Sequence, residues 1–267
     1  LAALLMLAQL FIEGYRWQLV PAYALTLIVL TLRLVGQARS SQSIRKRGAS
    51  IAISLLGILL TIIVALPPLL LPIPQDAPLT GSYRVGTVTL YWVDTSRTEI
   101  YSGQPNQPRE LMAQIWYPID PASATKVAPW LDRVDVLGPA LAKLLNLPSF
   151  FLDHVKYVNS QATPNAPVSS SAAPYPVLLF SHGYGGFRAE NTHQVEQLVS
   201  HGYIVISLDH PYDAAAAVFP DGRIALHSTP TLAPIGASAA EQQQASTRLV
   251  QQRAGDLAFV LDQLTQI

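Results

Sequence analysis

The stretch from Pro176 to Arg188, PVLLFSHGYGGFR, constrains the fold of this chain more than any other. Its apolar run Pro176-Val177-Leu178-Leu179-Phe180 has the length and composition of a buried strand. It breaks at once into His182-Gly183-Tyr184-Gly185-Gly186, where glycines permit the positive φ angles and close backbone approaches of a tight loop. Residues 190–200 then have helical spacing, with Val195, Leu198 and Val199 facing inward and Gly202 ending the helix. Tyr203–Leu208 is a second buried run, leading into Asp209-His210-Pro211-Tyr212-Asp213. A last helix starts at Ser238, where Ser238-Ala239-Ala240-Glu241 spells a capping box, with an inward stripe of Leu249, Val250, Leu257, Val260, Leu261 and Leu264. Strand, loop, helix, strand, helix is the pattern of an α/β fold with a doubly wound, mostly parallel sheet.

Earlier in the chain, Gly86–Val93 and Glu110–Tyr117 read as two strands, the second stopped by Pro118, with a polar hairpin-like excursion between them. Residues 131–158 show helical spacing interrupted by Pro139 and Pro148. Their leucines read as core or as a cap, with contact to lipid left open. Residues 159–176, rich in Ser, Ala and Pro, read as loop.

The N-terminal part is apolar. No charge falls between Ile51 and Ile73, Arg33 is the one charge from Trp17 to Val35, and roughly 20 such residues cross a bilayer. The expectation is a transmembrane region over 1–74, with spans at about 1–12 (partial), 17–35 and 51–73, a stiff linker over 75–85, and a globular part over 86–267. Arg39, Arg45, Lys46 and Arg47 lie between the two complete spans, which places that loop in the cytoplasm and everything after Gln75 outside it. The lipid bilayer is therefore an expected partner. A formal net charge of +0 with scattered basic residues gives no nucleic-acid face, and the absence of cysteine removes thiol catalysis and cysteine metal sites.

The glycine loop carries the chemistry. An HGGG-type turn after a strand supplies a backbone N–H to the oxyanion of an ester's tetrahedral intermediate. The alternatives are a turn without chemistry or a phosphate loop, although the dinucleotide fingerprint and the Walker A pattern are both unmatched. His182 reads as a loop-stabilising residue. His210, flanked by Asp209 and Asp213, reads mainly as structural, because neighbouring strand residues face opposite ways. His193, His201 and His227 have no motif partner. Gly236-Ala237-Ser238-Ala239-Ala240 approaches a G-x-S-x-G elbow, but the capping box accounts for its serine.

Several segments together resemble the platelet-activating factor acetylhydrolase family of plasma type: ELMAQIWYP at 110–118, GPALAKLLNLPSFFLDHVKYV at 138–158, residues 176–214, FPDGR at 219–223 and RAGDLAFVLDQL at 253–264. The resemblance implies an α/β-hydrolase, in a membrane-anchored bacterial form. It would cleave short or oxidised acyl esters of glycerophospholipids by serine acylation, without cofactor or metal. It implies that Tyr184 gives the oxyanion-hole N–H, in a loop shaped by His182, Gly183, Gly185 and Gly186. It also implies that the nucleophile serine, the aspartate and the histidine lie beyond Ile267, leaving no catalytic triad residue in this chain. Another exported α/β-hydrolase, acting as a peptidase or an acyltransferase, and a non-catalytic membrane-anchored lipid-binding protein are the competing expectations.

Overall fold

Two strand-forming runs joined by a polar connection set the frame of the larger unit. The computed structural model describes residues 1–38, 47–171, 174–228 and 231–264, without the side chains of 33, 36–38 and 47–54. The chain divides into two units, Leu1–Pro74 and Gln75–Ile267.

In the second unit β1 (Arg84–Thr98) and β2 (Pro108–Ile119) pair antiparallel as one long hairpin, both longer than the sequence pattern indicates. β2 runs on through Pro118, which lies opposite Val85. Its other neighbour pairs with it over Met112–Trp116 alone, so the missing proline N–H breaks no bond on that side. The short strand β3 (Ala162–Pro164), inside the stretch read as loop, pairs parallel to β1. β4 (Val177–Ser181) and β5 (Ile204–Asp209) are parallel, and β5 lies antiparallel to β2, giving the order β3-β1-β2-β5-β4. The sheet is mixed, which corrects the expected mostly parallel one: a hairpin fixes β1 against β2, and β5 then joins β2 from its other side. A small antiparallel pair, β6 (Ala216–Val218) and β7 (Ile224–Leu226), stands apart.

Among the helices, α4 (Val134–Leu144) passes through Pro139, held by Ala140 packed on Ala215 and Ala216. α5 (Thr192–Ser200) and α6 (Ala239–Leu264) cover opposite faces of the sheet. Val195 and Val199 of α5 pack with Trp116 and Val205, whereas Val260 of α6 packs with Leu111, Ala113, Ile115, Ile206 and Leu208. Alternation along β2 and β5 sends neighbouring residues to these two cores.

Two inward stripes need correction. Leu198 is half exposed, since the buried face of α5 is completed by Thr192, Glu196 and Ser200. Together with Val195 and Val199, those residues centre it roughly 125° from Leu198 at 100° per residue. In α6, Val250 and Leu261 are exposed, because the helix is turned so that Asp256 and Val260 point inward.

The first unit holds α1 (Ala2–Ile12), a single 3-10 turn at Trp17–Leu19, α2 (Val20–Ala38) and α3 (Arg47–Leu70). Its leucines and isoleucines are largely exposed, and Gln18 is the one buried side chain among its described residues. Among the described residues no helix is long and apolar enough to cross a membrane. The spans expected at 1–12, 17–35 and 51–73 are thus unsupported. Much of the chain between the two longer ones, including Arg39, Arg45 and Lys46, lies outside the described residues.

Candidate active site

The carboxyl ends of β4 and β5 lie side by side, Ser181 opposite Leu208, and the start of β2 passes them with Met112 opposite Asp209. Ligands of open α/β sheets bind outside such strand ends. The glycine loop leaves β4 at this place.

Each glycine N–H of the loop is engaged. That of Gly183 donates to Glu190 Oε1 at 2.9 Å, that of Gly185 to the Asp213 carbonyl at 3.1 Å, and that of Gly186 to the Gly183 carbonyl at 3.0 Å. The Tyr184 N–H finds no acceptor among the described residues. A backbone donor left over from a turn whose other donors are occupied is what an oxyanion site requires. The ring of Tyr184 is held edge-on to His227, with its hydroxyl 3.2 Å from Thr231 Oγ1.

One glycine is required by its backbone angle, and a second is crowded by the end of a flexible side chain. Gly185 has φ +67°, and a Cβ on Gly186 would fall 2.0 Å from Glu190 Oε2. Gly183 meets neither condition, so the loop depends less on it than its sequence pattern suggests.

His182, 1% exposed, braces the turn from within. Its Nδ1–H donates to the Gly183 carbonyl at 2.6 Å, and its Nε2 accepts the His210 backbone N–H at 3.1 Å. Burial, followed by the neighbouring His210, lowers its pKa below the usual histidine value, favouring the neutral ring that this pairing needs.

Behind His182 runs a chain of buried polar groups that the sequence pattern did not reveal. His210, 0% exposed, lies with Nε2 2.9 Å from Ser181 Oγ and Nδ1 2.8 Å from Asp256 Oδ2. Asp256, also 0% exposed, accepts from Arg109 Nε and Nη2 at 3.1 and 2.7 Å. Arg109 pairs further with Glu99. Burial alone would raise the Asp256 carboxyl, but the His210 hydrogen bond and the Arg109 charge hold it well below the usual carboxylate range. Asp209 and Asp213, which flank His210 in sequence, turn elsewhere: Asp209 pairs with Arg188 and Asp213 with Arg253 Nε at 2.5 Å. Arg253 also donates to the His182 carbonyl at 2.8 Å. The available signal was helical spacing, since Arg253, Asp256 and Val260 recur at i, i+3 and i+7 on one face of α6.

The Ser181–His210–Asp256 order has the distances of a serine charge relay. The full burial of His210 argues for a structural tie, because the base of a nucleophile must reach the reacting atoms. Two further histidines serve locally: His193 lies 3.7 Å from Asp76, and His201 Nε2 lies 2.9 Å from Thr80 Oγ1. Ser238 caps α6 reciprocally with Glu241 and lies in no strand-to-helix elbow. Among the described residues no group of three or more acidic or histidine side chains is placed to hold a metal ion.

Known proteins are similar to this chain in sequence and in fold. A solved ferulic acid esterase from Streptomyces cinnamoneus superposes with a TM-score of 0.52 at 31% identity, over 70% of this chain and 48% of its own. With the mixed sheet and the helices on both of its faces, this likeness supports the α/β-hydrolase fold. Platelet-activating factor acetylhydrolases of Cavia porcellus and Canis lupus familiaris are each 30% identical over 144 residues, 52% of this chain. The chain spans 29% of the length of these two relatives. The family profile described as platelet-activating factor acetylhydrolase, isoform II, matches residues 74–267, the whole of the sheet domain. The chain belongs to the platelet-activating factor acetylhydrolase family.

Proposed function

We propose that this chain is part of a serine ester hydrolase that cleaves short or oxidised acyl chains from glycerophospholipids. The observation that carries the reading is the Tyr184 N–H, without an acceptor among the described residues, in a braced turn that leaves β4 beside the carboxyl end of β5. There it meets the negative charge that develops when an ester carbonyl is attacked, and no cofactor or metal is needed for that step. The family and the esterase neighbour support ester chemistry, and the relatives' name supports a phospholipid substrate. The attacking serine and its aspartate and histidine are assigned to sequence beyond Ile267. This is because no G-x-S-x-G occurs in the chain and the matched relatives are longer. In this reading the 267 residues by themselves turn over no ester.

The proposal includes a membrane anchor through residues 1–74, with the hydrolase domain outside the cytoplasm. The exposed leucines and isoleucines of α1, α2 and α3 support it, since a water-exposed surface of that kind is unfavourable. A second reading, Ser181 itself as nucleophile, is favoured by the 2.9 Å contact to His210. Fluorophosphonate labelling of the full-length protein, with mapping of the labelled serine, separates the two. Labelling after residue 267, together with hydrolysis of short-acyl phosphatidylcholine and no cleavage of matched amides, is the expected result. Labelling at Ser181 supports the second reading, and no labelling with no hydrolysis overturns both.

A further inference from the structure

We propose that Arg253 and Asp256 of α6 are positioning residues that aim the Tyr184 N–H at the oxyanion. The inference rests on the reading of that N–H as the oxyanion donor. Two paths connect α6 to the turn. Arg253 Nη1 holds the His182 carbonyl at 2.8 Å, while its Nε holds Asp213, whose own carbonyl receives the Gly185 N–H at 3.1 Å. Asp256 fixes the His210 ring at 2.8 Å, and the His210 backbone N–H in turn fixes His182 Nε2 at 3.1 Å. The first path reaches the turn on both sides of Tyr184, at His182 and at Gly185, and the second reaches it at His182. The turn is therefore clamped by a helix from another part of the sequence.

Buried charged pairs of this type contribute little net stability against an apolar replacement, so placement of another group is their better-attested use. A backbone donor displaced by about 1 Å loses on the order of a hundredfold in rate. Removing such a donor altogether costs about 10²–10³ in kcat.

The test uses the full-length protein with Arg253→Met and Asp256→Asn, and Arg253→Lys as the conservative variant. Active sites are counted by fluorophosphonate titration, so that kcat is obtained per folded site. Arg253→Met is expected to lower kcat about 10- to 100-fold with KM within about twofold, and Arg253→Lys to recover part of the loss. Asp256→Asn is expected to act in the same direction. Should Asp256→Asn fail to fold, Arg253→Met decides, because its side chain is 20% exposed and its removal leaves Arg109 paired. If the variants lose melting temperature or titratable sites while kcat per site is unchanged, the two residues are merely structural and the proposal is overturned. A wild-type protein that neither labels nor hydrolyses ester fails the proposed function itself, a result distinct from variants that keep wild-type kcat.

Discussion

Glu196 gives the sharpest quantitative test of the domain's energetics. It sits on α5 with 0% exposure, and its Oε1 accepts the Gln161 N–H at 2.8 Å. Burial pushes its carboxyl from 4.5 up to about 7, against that hydrogen bond and with the help of the charge on Asp76. The folded state therefore prefers the protonated form. Below pH 4.5 both folded and unfolded chains hold the proton and no penalty arises. Between 4.5 and about 7 the unfolded chain ionises first, so stability falls as pH rises, and above about 7 the full penalty is present. A rise from 4.5 to about 7 corresponds to about 3 kcal/mol. Glu196→Gln keeps the acceptor for Gln161 and removes the charge. Urea unfolding of both proteins at pH 5 and pH 8, followed by tryptophan fluorescence, should show the variant gaining about 2–3 kcal/mol over wild type on going to pH 8. If the two proteins change in parallel between these pH values, the carboxylate is hydrated in the folded state and the reasoning is wrong.

Other substitutions probe the loop and the helix that braces it. Gly186→Ala places a methyl 2.0 Å from Glu190 Oε2, displaces that carboxylate from the Gly183 N–H and should lower stability by about 1 kcal/mol in thermal unfolding. Gly183→Ala, whose added Cβ comes no nearer than 3.9 Å to Glu190 Oε1, should be much milder in the same assay. Ser238→Ala breaks the reciprocal cap with Glu241 and should cost about 1 kcal/mol, with amide exchange rising first in the opening turn of α6. Asp256→Ala takes one of two carboxylate partners from the Arg109 guanidinium, which is 1% exposed and keeps Glu99, and should cost about 2–3 kcal/mol in denaturant unfolding.

Local order was legible where one physical cause dominates. The run 176–180 is apolar enough to be a strand in any setting, and the structure places β4 over Val177–Ser181. The capping box at Ser238 is a contact between residues three apart, so sequence contains it entirely. Pro118 misled because its cost depends on whether a neighbour needs its N–H, which is a fact about β5 and not about β2. Leu198 misled because Glu196, a charged residue, occupies the buried face that apolarity alone assigns to leucine. The sheet's mixed direction follows from which strands become neighbours, and a strand-helix-strand reading covers only β4 and β5. The site divides along the same line. The glycine turn declares itself through residue type, whereas Arg109, His210 and Asp256, which come together from β2, the end of β5 and α6, share nothing local. Charges inside a core read as surface until their partners are known.

The most direct test of the central claim replaces the Tyr184 backbone amide by an ester, incorporating the α-hydroxy acid analogue of tyrosine into the full-length protein. This removes the one N–H while keeping the ring against His227 and the hydroxyl near Thr231. The expected result is a fall in kcat of about 10²–10³ on short-acyl ester, with KM nearly unchanged and fluorophosphonate labelling slowed in proportion. A kcat equal to that of the unmodified protein would contradict it.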